Sequence, residues 1–173
     1  VCSSDLDPDA ARDALTKAGV ANGTEITLDV PPINYATNSS EFIAAALGDV
    51  GFNVSIKPVT WEEWLDRVFT KADYDMTIVC HIERNDMAIY ANPQYYFRFD
   101  DAEYRGLIES AAAAETPAAR ADDLRAAARV LSERSASDWL WLMPNLQVAK
   151  RGVTGISKNS VGDSYYVARL ERV

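Results

Sequence analysis

The length, composition and charge of the chain restrict both its class and its partners. Its 173 residues, of which 48% are hydrophobic and 25% charged, suit one globular domain or one lobe of a larger protein. The formal net charge of -9 argues against nucleic acid and anionic membrane surfaces as partners, because both attract basic faces. No apolar run reaches the roughly 20 residues of a membrane-spanning helix. The start of the chain also lacks the basic and apolar regions of a signal peptide, so an export signal is expected outside this sequence.

The two cysteines are not expected to form a disulfide. Cys80 falls in an apolar strand segment, which predicts a small buried residue. Cys2 belongs to residues 1–6 (VCSSDL), which match the in-frame translation of a common short-read sequencing adapter. We therefore interpret residues 1–6 as a non-native leader and expect the natural protein to extend further upstream. The alternative is a native, disordered N-terminus.

The first third of the chain alternates between helical and extended patterns. Asp7 followed by Pro8 is typical of a helix start, and Gly19 is typical of a helix end. Residues 25–30 alternate apolar with polar side chains, which predicts a strand. The polar segment 34–40 then leads into a second predicted helix with one apolar face.

The next segment continues this alternation and indicates an α/β fold. Residues 52–58 read as a strand, and Thr60 with Glu63 matches a capping box. The helix after it carries the widest apolar stripe of the chain, formed by Trp61, Trp64, Leu65, Val68 and Phe69. A third strand is predicted over residues 74–80. Strands joined by such short helical connections are expected to lie parallel, with right-handed crossovers.

The remainder of the chain is predicted to begin with two helices and to end in extended segments. Asp100 is the expected cap of the first helix, and Thr116 precedes the second. Residues 139–143 read as a strand on which Trp139 and Trp141 point to the same side. One of the two rings is expected to be buried and the other to lie near a cleft. A last strand is expected near residues 165–170.

The loop over residues 81–96 is the strongest candidate for a functional site. Ligands of open α/β sheets bind beyond the carboxyl ends of the strands, and this loop follows the third predicted strand. It is longer than a tight strand–helix connection and rich in tyrosine, which favours ligand contact. A loop whose charges serve only solubility remains the alternative.

The only compact cluster of histidine and carboxylates is His81, Glu83 and Asp86 in this loop. We predict no metal there, because the spacing is not that of a known site and Arg84 would oppose a cation. Nucleophile and phosphate-binding motifs are absent from the sequence, so no cofactor and no enzymatic activity are predicted. Two alternatives remain open, namely a metal-assisted hydrolase using these three residues and an interaction module that binds protein through the helix of Trp61 and Trp64.

Several short motifs follow one another in a recognisable order. They are DPDAARDALTKAG at residues 7–19, LGDVGFNV at 47–54, YDM at 74–76 and VTG at 153–155. Their order and spacing resemble extracytoplasmic solute-binding proteins of the peptide/nickel type, often labelled family 5, which serve ABC importers. The resemblance implies that residues 7–173 are the C-terminal lobe of a two-lobed, periplasmic-binding-protein type II-like fold. Such a lobe has a mainly parallel β-α-β-α-β sheet flanked by helices, and its C-terminal strands return toward a larger lobe that this sequence lacks.

The resemblance also implies a function and a binding site. In the family, an aspartate after the YD strand meets the amino terminus of a peptide, and Asp86 is the matching position, with Tyr90 in the aromatic place after it. Residues 80–85 replace the usual tryptophan and glycine, and the family also includes binders of nickel chelates and sugars. The ligand is therefore expected to be a peptide or a similar small polar solute. The residues expected to contact it are His81, Glu83, Asp86, Tyr90, Tyr95, Tyr96 and Trp141.

Partners and location follow from the same resemblance. The expected protein is a non-catalytic receptor and a monomer that encloses its ligand by hinge closure between two lobes. It would deliver that ligand to the membrane subunits of an ABC permease. The expected location is extracytoplasmic, in the periplasm or at the cell surface, with a lipid anchor as an option in the absent N-terminal region.

Overall fold

A parallel three-stranded sheet lies at the centre of the first half of the chain. The structure, a computed structural model, describes residues 7–83, 85–144, 146–157 and 166–173. The strands are β1 (Thr24–Val30), β2 (Phe52–Pro58) and β3 (Met76–Thr77), in the order β2-β1-β3. Both pairings are parallel, which confirms the prediction, but β3 is shorter than predicted because only Met76 and Thr77 pair with β1.

Helices alternate with these strands and then dominate the following segment. They are α1 (Pro8–Lys17), α2 (Asn34–Asp49), α3 (Trp61–Glu63), a π-helix (Trp64–Thr70), α4 (Asp86–Ile89), α5 (Ala102–Ala113) and α6 (Pro117–Glu133). As predicted, the Asp7 side chain caps α1 by accepting a hydrogen bond of 2.9 Å from the Ala10 N–H. Gly19, just beyond the end of α1, has a φ of 71°, which an ordinary side chain would disfavour. None of the helices described is long and apolar enough to span a membrane.

Helix α2 begins earlier than the sequence pattern predicted. The polar segment 34–40 is part of the helix and does not precede it. The hydroxyl of Ser39 donates to the Tyr35 carbonyl at 2.7 Å, and that of Ser40 donates to the Thr37 carbonyl at 2.9 Å. Because these hydroxyls are satisfied by carbonyls one turn earlier, polar residues are accommodated inside the helix.

Helix α3 continues without a break into the π-helix. The wider turn is marked by a bond from the Lys71 N–H to the Asp66 carbonyl, five residues earlier, at 3.1 Å. Within the apolar stripe, Trp64 and Val68 face the sheet and are buried, whereas Trp61, Leu65 and Phe69 lie between 40% and 52% exposed. The apolar stripe therefore extends beyond the part of the helix that is buried against the sheet.

The predicted capping box at the start of α3 is confirmed. The Glu63 N–H donates to the Thr60 hydroxyl at 3.1 Å, and the Thr60 N–H donates to the Glu63 carboxylate at 2.7 Å. Changing Thr60→Ala is expected to lower the free energy of unfolding by about 1 kcal/mol, because one helix N–H loses its acceptor. Urea denaturation of the full chain measures this. The control is Thr16→Ala in the last turn of α1, where the exposed hydroxyl donates to the Arg12 carbonyl. Equal losses in both variants would contradict the capping role.

Three apolar clusters form the core of the described residues. Leu28, Val30, Ala36 and Ile78 pack between the sheet and α2. On the opposite face of the sheet, the π-helix side, the buried members are Val59, Trp64, Val68 and Tyr96. The third cluster joins α5 and α6 to the loop after β3 and consists of Tyr90, Tyr104, Ala127, Val130 and Leu131. The second and third clusters therefore both include tyrosines of the candidate loop.

Three predictions for the last part of the chain need correction. Asp101, and not Asp100, caps α5, because its carboxylate accepts from the Tyr104 N–H at 2.8 Å. Residues 139–143 form no strand, since no other strand of the described residues lies beside them. The last strand is β5 (Glu171–Arg172), which pairs antiparallel with β4 (Val153–Thr154). A short 3-10 helix, Val167–Arg169, occupies most of the described part of the segment where that strand was predicted.

Candidate functional site

The loop over residues 81–96 starts beyond β3, at the carboxyl edge of the parallel sheet where β1 and β2 also end. This is the position that the order of elements predicted. The Cys80 N–H donates to the Tyr35 hydroxyl at 2.7 Å, which ties the start of the loop to α2. Nothing in the local sequence marks Tyr35, because its partner lies 45 positions away.

The prediction that Cys80 is buried is wrong. The strand ends at Thr77, so Cys80 lies outside the sheet, and it is a free and exposed cysteine. Cys2 and the rest of residues 1–6 lie outside the described residues, as do Arg84 and Tyr165.

His81 and Glu83 are held together in a network with Tyr95 and Tyr96. Nδ1 of His81 lies 3.1 Å from Oε2 of Glu83, and Nε2 lies 2.6 Å from the Tyr96 hydroxyl. The Tyr95 hydroxyl donates to Oε1 of Glu83 at 3.4 Å. An ionised carboxylate only accepts hydrogen bonds, so Nδ1 is the donor toward Glu83. We call these four residues the His81 network.

Asp86, the first residue of α4, lies beside this network and keeps one oxygen unused. Its Oδ1 is buried and has no hydrogen-bond donor among the described residues. Burial, and next the charge and hydrogen bond of Glu83, raise the pKa of Asp86 above its ordinary value. Burial acts in the same direction on Glu83, but hydrogen bonds from its backbone, His81 and Asp86, with the charge of His81, bring its pKa below the ordinary value.

Tyr90 and Tyr96 are core residues, although the sequence predicted tyrosines that face a ligand. Tyr90 is 7% exposed, donates to the Ser137 hydroxyl at 2.8 Å and stacks on Phe97 with centroids 4.4 Å apart. Tyr96 is 4% exposed, and its ring packs edge-on against Trp64. The sequence pattern could not separate these rings from that of Tyr95, which is half-buried and next to Glu83. Of the three tyrosines, Tyr95 thus has the ring best placed to meet a ligand.

The two tryptophans of the 139–143 segment are both substantially exposed. Trp139 lies 6.0 Å from the Tyr90 ring, centroid to centroid, and so contacts the candidate loop. Trp139 is 44% and Trp141 47% exposed, so the expectation that one of the two rings is buried is wrong. The neighbouring side chains of Leu142, Leu146 and Val148 are almost fully exposed.

The two alternative functions lack the geometry that each would require. Among the described residues, no group of three histidine, cysteine or carboxylate side chains lies close enough to hold a metal ion. His81, Glu83 and Asp86 therefore do not converge on a common point. The interaction module would need the rings of Trp61 and Trp64 in one exposed patch, but Trp64 is buried and donates to the Thr77 hydroxyl at 2.9 Å.

A second polar site lies away from the loop, on the π-helix face of the sheet. A cavity of about 410 Å³ is lined there by Asp29, Lys57 and Arg67, among others. The buried Asp29 carboxylate is 3.4 Å from Arg67 and 3.9 Å from Lys57. Because both cations offset its charge, we interpret this cluster as an ion-pair centre that joins β1, β2 and the π-helix.

Comparisons with known proteins agree with this fold. No family model matches the sequence. Two curated proteins of Pseudomonas aeruginosa strains, a dipeptide-binding protein and di/tripeptide-binding protein 3, are 39% identical to the chain over 67 residues. The matched stretch is 36% of this chain and 13% of each relative.

Solved structures extend the likeness to nearly the whole chain. The dipeptide-binding protein of Pseudoalteromonas sp. SM9913, in complex with Met-Leu, has a TM-score of 0.70 at 17% identity, covering 97% of this chain and 36% of that protein. The oligopeptide-binding protein AppA of Bacillus subtilis, in complex with a nonapeptide, has a TM-score of 0.75 at 14% identity, covering 97% and 38%. The chain thus spans little more than a third of these proteins. The predicted fold class and the predicted resemblance are both confirmed.

Proposed function

We propose that this chain, a lobe of a solute-binding protein of the peptide/nickel type, captures a peptide or a similar small polar solute outside the cytoplasm. The captured solute is passed to the membrane subunits of an ABC importer, and the protein catalyses no reaction. One observation carries the proposal. At the carboxyl edge of the sheet, Asp86 holds a buried oxygen that none of the described residues satisfies, which is the position where this fold is expected to meet its ligand.

The chemistry of the loop supports a cationic group on the ligand. A carboxylate in a closed and poorly hydrated cleft binds an ammonium group through charge-assisted hydrogen bonds. Glu83 adds a second negative charge beside Asp86, and Tyr95 offers an apolar wall with a polar tip. Tyr90 and Tyr96 are buried and would hold the loop in place by packing in the core. Trp141, which is 47% exposed, is a further member of the proposed site.

The exposed apolar segment supports the proposal that residues 7–173 are one lobe of a larger protein. Leu142, Leu146 and Val148 would be costly to leave in water. A second lobe that packs on this segment would cover them and would enclose the ligand by hinge closure. We propose a monomer of two such lobes, with residues 1–6 as a non-native leader.

The test is a ligand screen on the complete protein encoded by the natural reading frame. Thermal shift would be measured with the dipeptide Met-Leu, its N-acetylated form, stachyose and a nickel chelate. A ligand at a hundredfold excess over its dissociation constant stabilises the folded state by about 2.7 kcal/mol. We expect stabilisation by Met-Leu and much less by the N-acetylated form, which has no ammonium group. Stabilisation by stachyose alone would contradict a ligand with a cationic group, and mass-spectrometric detection of cleaved Met-Leu would contradict the non-catalytic role.

A further inference from the structure

Phe69, on the π-helix, packs against the candidate loop and stays partly exposed. Its ring meets the Tyr95 ring edge-on, with centroids 5.5 Å apart and an interplanar angle of 82°. It also contacts Trp64 and Tyr96, which are buried. Phe69 itself remains 40% exposed, although a phenylalanine ring gains free energy when it leaves water. Part of its ring is therefore available to a further apolar group.

Tyr95 connects this exposed ring to the charged part of the loop. Its ring contacts Phe69, and its hydroxyl donates to Oε1 of Glu83 at 3.4 Å. Tyr95 is partly buried, and the side chain of Glu83 is 41% exposed. An apolar surface and a carboxylate thus lie at the two ends of one tyrosine side chain. A ligand that reaches both carries a cationic group and an apolar group close together.

The two rings of this pair are held by their neighbours. Tyr95 contacts Tyr96 and Phe97, with centroid distances of 5.1 and 4.9 Å. Phe69 contacts Trp64 at 6.0 Å. Rings that are already fixed lose little conformational entropy when a ligand packs against them. The pair is therefore a preformed apolar surface, which we call the Phe69–Tyr95 wall.

We infer that the Phe69–Tyr95 wall is an apolar subsite for the side chain of the peptide residue that carries the free ammonium group. Phe69 is then a specificity-determining residue. This inference rests on the proposed function, because the ammonium group is assigned there to the carboxylates of the loop. It narrows the ligand class to peptides with a large apolar N-terminal residue, since glycine at that position would leave the wall in contact with water.

The test compares three dipeptides on the complete protein by isothermal titration calorimetry. Met-Leu has an apolar side chain at both positions, Gly-Leu lacks the N-terminal one and Met-Gly lacks the C-terminal one. The wild type should bind Met-Leu at least about 10-fold more tightly than Gly-Leu, the effect of a single methylene group in an apolar pocket. In Phe69→Ala this ratio should fall by at least about 4-fold, the effect of one buried methylene group. The ratio of Met-Leu to Met-Gly should stay unchanged.

Matched variants separate this contact from general disruption. Because each ratio is measured within one variant, a loss that affects all peptides equally cancels. Phe69→Leu keeps an apolar side chain and should retain most of the wild-type ratio. Phe42→Ala removes a phenylalanine of α2 that is 74% exposed, and it should leave both ratios unchanged. Equal Met-Leu to Gly-Leu ratios in the wild type and Phe69→Ala would overturn the inference, and so would a change in the Met-Leu to Met-Gly ratio alone.

A measurement on the wild type decides the matter even if Phe69→Ala does not fold. In the complete protein with labelled phenylalanine and tyrosine, nuclear Overhauser effects should connect the S-methyl group of bound Met-Leu with the ring protons of Phe69 and Tyr95. Effects from that methyl group to other rings only would overturn the inference.

The same labelled protein distinguishes failure of the inference from failure of the proposed function. Isopentylammonium carries a cation and an apolar group without a peptide bond, and methylammonium carries the cation alone. Isopentylammonium should shift the Tyr95 ring signals more than methylammonium does, and Phe69→Leu should retain this difference. If no dipeptide binds but the difference is found, the peptide ligand is rejected and the apolar subsite stands. If the dipeptides bind without the Overhauser effects and without the difference, the inference fails and the receptor function stands. If neither is seen, both are rejected.

Discussion

Replacing Asp86 by asparagine is expected to weaken the binding of Met-Leu to the complete protein by about 2–5 kcal/mol, roughly 30-fold to several thousand-fold. Removing one partner of a buried, hydrogen-bonded charge pair costs this much, because the other charge is left desolvated and unpaired. One buried oxygen of the Asp86 carboxyl has no hydrogen-bond partner among the described residues, and a ligand ammonium group would satisfy it. Isothermal titration calorimetry near pH 7 measures the change in dissociation constant.

Controls for this substitution test whether the loss belongs to the site. Asn has nearly the shape of Asp, so the thermal midpoint of the ligand-free protein should change little. Asp66→Asn removes a carboxylate whose only described ion pair is with Lys71, and it should bind Met-Leu as the wild type does. An unchanged dissociation constant for Asp86→Asn would remove this residue from the site.

The largest expected effect on stability comes from replacing Tyr104, a residue of α5 that contacts the candidate loop. Its side chain is 0% exposed, and its hydroxyl donates to the Met87 carbonyl at 2.6 Å. Tyr104→Ala should lower the free energy of unfolding by about 3–5 kcal/mol, because a large buried ring is replaced by a cavity. Denaturant unfolding of the full chain, monitored by circular dichroism, gives this value.

Two further variants divide this effect into packing and hydrogen bonding. Tyr104→Phe keeps the ring and should cost only about 1–3 kcal/mol, the penalty for leaving the partly buried Met87 carbonyl without its donor. Tyr166→Ala removes a tyrosine that is 67% exposed and should change stability by no more than about 0.5 kcal/mol. Similar losses for Tyr104→Ala and Tyr166→Ala would mean that the third cluster is not a core.

Local signals in the sequence were sufficient to predict much of the first half of the fold. The caps formed by Asp7 and Thr60 are confirmed because a cap depends on residues only three positions apart. The parallel pairing of β1 with its neighbours followed from short connections, which leave few topologies open. The start of the candidate loop at the carboxyl edge followed from the same topology.

Other predictions failed where a contact with distant residues decides the outcome. Residues 139–143 have the alternation of a strand, but a strand needs a partner, and the described residues provide none. Cys80 was placed in a strand that ends three residues earlier. Asp100 and Asp101 are both suitable caps as judged from the sequence. Asp101 also pairs with Arg134 at 3.3 Å, and this contact with a distant part of the chain could not be read from the local sequence.

By itself, the sequence determined the α/β class, the order of the elements and the loop that carries the candidate site. These properties depend on side-chain periodicity and on caps and turns, whose interactions reach only a few residues along the chain. Tertiary structure alone decided that Tyr90 and Tyr96 are buried while Tyr95 remains partly open, and that His81 bridges Glu83 and Tyr96. Periodicity cannot distinguish neighbouring tyrosines in a loop, because their burial depends on helices and strands that approach from elsewhere in the chain.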